Sequence, residues 1–162
     1  MAFFISMSVG LTGFTSEAIA PDLDPVDIKS VYLQTFDTSL PSGMAEQILE
    51  QYGKLWEAGG AKPGSEETIV GQMLAGNGTS PAQILAMRQL LFLWYAGAWP
   101  TVQYDNSPSH GQTFSDVISA DSYTHGLVWR VMQSHPMGSS NYTYGYWSTT
   151  PPPLQAYLEN PA

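Results

Sequence analysis

The chain has 162 residues, 43% of them hydrophobic and 12% charged: enough for one domain with a real core, too few for two well-separated domains, and too apolar for wholesale disorder. Its net charge is −9 with only five Lys and Arg, and no basic patch can be assembled from Lys29, Lys54, Lys62, Arg88 and Arg130, so nucleic acid and anionic lipid surfaces are poor partners. Cysteine is absent, which excludes disulfides, thiolate metal sites, iron–sulfur clusters and covalently attached c-type haem within this chain.

Low charge accompanies five Trp and nine Tyr. Aromatic enrichment with charge depletion is what interface cores show; an aromatic core under neutral polar loops gives the same composition. Met1-Ala2-Phe3-Phe4 has neither the basic n-region nor the cleavage site of a secretory signal, and the abrupt apolar start favours a leader already removed over a cytosolic chain.

Taken in order, Phe3–Leu11 predicts a short apolar helix stopping at Gly13. Asp24-Pro25 predicts a second helix with Asp24 as N-cap, Asp27 in its first turn, and Ile28, Val31, Tyr32 and Phe36 as the buried stripe. After the Pro41-Ser42-Gly43 turn, a third helix runs from about Met44 to Glu57 with Met44, Ile48, Tyr52 and Leu55 on one face; Glu46, Glu50 and Lys54 form a solvated face with Glu50→Lys54 oriented for an ion pair. Ser65 caps a short helix carrying Ile69, Val70, Met73 and Leu74, closed by Gly76-Asn77-Gly78.

The stretch Ala82–Pro100 is the centre of the chain. Ser80 as N-cap, Pro81 at the first helical position and Gln83 make a capping box. No charge occurs from Leu90 to Trp99, so this helix must be covered on every side, by its own domain, a partner or lipid; lipid is the weakest option, because Arg88 and Pro100 bracket too few apolar residues for a membrane span. Thr101–Thr113 reads as a loop, and Phe114–Met132 as a broken helical pattern. The expectation is an all-α compact domain of about six helices over residues 1–133, with an extended Pro/Tyr/Gly-rich arm over residues 134–162.

No catalytic constellation emerges. There is no G-x-G-x-x-G before a helix, no Walker loop and no G-x-S-x-G, and His110, His125 and His135 lack the spacing of a metal motif. Asn77-Gly78-Thr79 and Asn141-Tyr142-Thr143 match glycosylation sequons in chance loops. Catalytic, cofactor-binding and metal-ligating residues are accordingly assigned to none of these positions.

Three pieces in register do carry a resemblance. Phe3-Phe4-x-Ser6 with Leu11-Thr12-Gly13, then Leu93-Trp94-Tyr95-Ala96-Gly97, then Tyr123-x-x-Gly126-Leu127-x-Trp129 followed by Gly145-Tyr146-Trp147 and prolines, resemble the small (gamma) subunit of membrane-associated FAD-dependent sugar and polyol dehydrogenases, the D-sorbitol, fructose and glucose dehydrogenase complexes. The resemblance implies a non-catalytic subunit that escorts and stabilises a large FAD-bearing subunit of the glucose–methanol–choline type. It implies twin-arginine export to the periplasm, membrane association through the complex with no span of its own, and a cytochrome c subunit in some complexes. Gly126 stands where the pattern has Ala, and a helix-interior Gly costs about 1 kcal/mol unless close packing needs it.

Partner contacts are expected from Trp94, Tyr95, Trp99, Trp129, Tyr144, Tyr146 and Trp147, with Trp94 and Trp129 as internal core being the competing reading. Rival functions are a small enzyme using His125 or His135 with Asp121, and a free-standing binding module or dedicated chaperone that releases its client.

Overall fold

The computed structural model describes residues 1–103 and 112–137. The chain is mainly helical: α1 (Ala2–Thr12), α2 (Ser16–Ile19), α3 (Ile28–Thr38), α4 (Met44–Ala58), α5 (Glu66–Leu74) and α6 (Pro81–Ala96) precede a two-stranded ribbon, β1 (Ala98–Gln103) and β2 (Gln112–Val117), and then α7 (Ala120–Thr124) and α8 (Leu127–Val131). Of the expected arm, only residues 134–137 are among those described.

α1 and α6 form the central pair. α1 touches α2, α4, α5 and α6, while α6 touches α1, α3, α5, α8 and β1. Gly10 lets α1 approach α5 closely, since a Cβ there would lie 2.5 Å from the Glu66 carbonyl oxygen. Phe4, Met7, Tyr32, Phe36, Ile48, Tyr52, Met73, Met87 and Leu90 fill the space between the helices. The two central helices are also tied by polar groups: Trp94 Nε1 donates to Ser8 Oγ at 2.9 Å, and Tyr95 OH donates to the Thr12 carbonyl at 3.0 Å. Each satisfies a group whose burial would otherwise be unfavourable.

The expected starts and stops mostly hold. Gly13 ends α1 in the left-handed conformation, and both hydrogen bonds of the Ser80/Gln83 capping box open α6. At α3 the start moves. Asp24 accepts from the backbone N–H of Val26, Asp27 and Ile28 at 3.1, 3.0 and 2.9 Å, which organises a turn, so that the helix proper begins at Ile28. The short α2 has no counterpart in the sequence pattern.

The largest departure follows α6. The helix stops at Gly97, with φ +64°, and Ala98–Gln103 is a strand rather than the helix end and loop expected there. Its antiparallel register runs from Ala98↔Val117 to Gln103↔Gln112, in place of the expected loop and helical pattern. In a two-stranded ribbon both strands are edges, so Pro100, paired in register with Ser115, removes no interior ladder bond. Within this chain alone, Phe92 on α6 remains 40% exposed, and Leu85, before the charge-free segment, 49%.

A clasp holds this joint. A Cβ at Gly97 would collide with the Ser122 carbonyl. That carbonyl accepts from Tyr32 OH at 3.0 Å, and Ser122 Oγ donates to the Gly97 carbonyl at 3.0 Å. Gly126 is the N-cap of α8 rather than a helix-interior residue, and a Cβ there would lie 2.7 Å from the Tyr95 carbonyl oxygen. Close packing, not helix propensity, accounts for that glycine.

Candidate partner-binding surface

The aromatic residues expected to face a partner separate into three groups. Trp94 is 2% exposed, set edge-on to Tyr32 at 4.8 Å and against Phe4 at 6.1 Å, and Trp99 is buried against Phe36 at 6.4 Å. Both are core of this chain, not surface: Gly97 turns the backbone so that Trp99 folds back toward α3. Tyr95 and Trp129 are half-buried. Tyr95 lies edge-on to Phe14, and Trp129 lies edge-on to Tyr123 at 5.2 Å and donates from Nε1 to the Tyr123 carbonyl at 2.7 Å. Tyr144, Tyr146 and Trp147 lie outside the described residues.

An exposed apolar surface lies elsewhere, between α3, α4 and the start of α1. Ser30, Leu33, Gln34 and Asp37 recur at helical spacing along α3 and form one wall; Ala45, Glu46, Leu49 and Glu50 of α4 form the other. Met1 and Phe3 close one end. The result is an open groove of about 660 Å³. Its end residues are exposed, Met1 at 53% and Phe3 at 39%.

Phe3 is seated rather than loose. Its ring is edge-on to Tyr52 at 6.3 Å, and Gly53 makes room for it, since a Cβ there would come within 2.8 Å of the ring. Beneath it, Ser6 Oγ and Tyr52 OH lie 2.7 Å apart. Burial raises the Tyr52 hydroxyl above the ordinary tyrosine range.

The rim is acidic. Asp37, Glu46 and Glu50 are exposed, and no Lys or Arg is among the lining residues. Lys54, one turn beyond, is held to Glu50 at 2.8 Å and lowers that carboxyl through its hydrogen bond and charge. Lys29, one position before the groove, is engaged with Asp27 at 3.3 Å.

Sequence periodicity misses this groove because it follows the narrow stripes Tyr32/Phe36 and Ile48/Tyr52. Leu33 and Leu49 each adjoin a stripe and widen it by one apolar residue beside a carboxylate. That off-stripe Leu, present on two successive helices, is the signal that marks the surface.

Among the described residues, His125 and His135 each contact a nearby backbone carbonyl. His125 Nδ1 contacts the Asp121 backbone carbonyl at 2.8 Å, His135 Nδ1 contacts the Pro136 carbonyl at 3.1 Å, and His110 lies outside the described residues. Among the described residues no group of three or more His, Asp or Glu could hold a metal ion, and no helix is long and apolar enough to cross a membrane. No family model, curated protein or solved structure matches this chain.

Proposed function

We propose that this chain is a non-catalytic small subunit that binds and stabilises a larger FAD-dependent dehydrogenase of the glucose–methanol–choline type, acting on a sugar or polyol in the periplasm. The observation that carries the binding role is the open groove, whose apolar floor leaves Met1, Phe3, Leu33 and Leu49 without full cover on a tightly packed helical body. The choice of partner rests on the three motif pieces, and their described parts meet in space: Tyr95 reaches Thr12, Trp94 lies near Ser8 beside the first motif, and Gly126 packs on the Tyr95 carbonyl. Residues that recur together in a sequence pattern are expected to form such joints. FAD, and any cytochrome c, would belong to the partner subunits.

Purification of the chain from its native source, with an absorbance spectrum of what accompanies it, tests this reading. A larger flavin-bearing protein near equimolar ratio is the expected result. A soluble, colourless monomer overturns the subunit reading and favours a free-standing binding module or client-releasing chaperone.

A further inference from the structure

Resting on the small-subunit reading for the partner's identity alone, we propose that the α3/α4 groove receives an amphipathic helix of the partner protein that carries Lys or Arg beside an apolar stripe. The wall residues of α3 span Ser30 to Asp37, two helical turns or about 10 Å, which matches apolar anchors one and two turns apart on a docked helix. Leu33 and Leu49 face the groove from opposite walls, with Phe3 and Met1 at its end, so the floor is apolar along its length.

Charge decides the occupant. Asp37 on one wall and Glu46 on the other border the apolar floor and lie outside the two ion pairs seen among the described residues, Lys29–Asp27 and Lys54–Glu50. A basic flank on the incoming helix meets carboxylates on both walls and is steered toward them. A second copy of this chain packed face to face would instead set these same carboxylates against themselves.

The test uses the full chain and a labelled amphipathic peptide of Leu and Lys, about 18 residues long, titrated by fluorescence anisotropy. Asp37→Lys with Glu46→Lys reverses the rim; Asp22→Lys with Glu57→Lys makes the same change in net charge at exposed positions outside the groove. Thermal melts establish that both variants fold. The wild type is expected to bind, the rim variant to bind about tenfold or more weakly, and the control variant to bind within about twofold of the wild type. Equal weakening by both variants, or no binding to the wild type, overturns the proposal. So does a concentration-dependent dimer of the wild type that the rim variant abolishes, since the occupant is then a second copy.

The native complex supplies the second arm. Loss of a co-purifying flavoprotein from the rim variant alone supports the groove as its dock. Retention by the rim variant overturns the groove and leaves the small-subunit reading standing. If the peptide discriminates as expected but no flavoprotein accompanies the wild type, the groove stands and the small-subunit reading falls.

Discussion

Ser8 shows how much one small side chain can decide. It is fully buried and accepts the Trp94 indole N–H, so the largest side chain of the core is oriented by one hydroxyl. Glycines act by absence at the same scale, and two of them predict opposite outcomes. A Cβ on Gly10 would meet the Glu66 backbone, whereas one on Gly71, on the exposed face of α5, would have no neighbour within 4 Å. Gly71→Ala should raise stability by about 1 kcal/mol through helix propensity. Gly10→Ala should lower it by about 1–3 kcal/mol, because the obstacle is backbone and cannot rotate away. Urea denaturation of the two variants reads both signs. Neither is legible in the sequence, where both are glycines inside helical patterns.

At the scale of elements, helix starts governed by local chemistry are legible and ends governed by distant contacts are less so. The Ser80-Pro81-x-Gln83 signature needs only its own four residues, and Gln83 N–H and Ser80 N–H both find their side-chain partners. Ser80→Ala should therefore cost about 1 kcal/mol in unfolding free energy by urea titration, with little effect on the native circular dichroism spectrum. The stop at Gly97 depends instead on Ser122, which lies 25 positions later and supplies both the carbonyl that excludes a Cβ and a hydroxyl for the Gly97 carbonyl. Apolar Ala98 and Trp99 continue the helical pattern, so periodicity extends α6 through a turn that tertiary contact imposes. The groove is obscured for a related reason: periodicity finds the stripe that enters the core, and Leu33 and Leu49 lie just beside it.

For the whole molecule, the helical class follows from composition and period, while telling which aromatics remain at the surface requires knowing which ones the core consumes. Trp94 and Trp99 have the composition of such a surface, but Tyr32, Phe4 and Phe36 enclose them. The same enclosure predicts an alkaline limit. Burial raises Tyr32 and Tyr52, so in the folded chain both keep their protons beyond the pH at which free tyrosine loses them. Their contribution is intact below about pH 10 and is lost as pH rises above it, because the unfolded chain ionises first. Urea midpoints measured upward from neutral pH should stay level and then fall, and Tyr32→Phe should shallow that fall even though it also forfeits the bond to Ser122.

The position of α1 also sets an order of assembly. It is made before all four helices it packs against, α2, α4, α5 and α6, and the last of these ends only at Ala96. At translation speeds of 5–20 residues per second, the interval from Thr12 to Ala96 is roughly 4–17 s. During that interval the seat of this apolar helix is incomplete, since α2, α4 and α5 are made before α6. The Trp94–Ser8 and Tyr95–Thr12 hydrogen bonds form only once α6 exists, so the last ties on α1 are set long after the helix itself has been made.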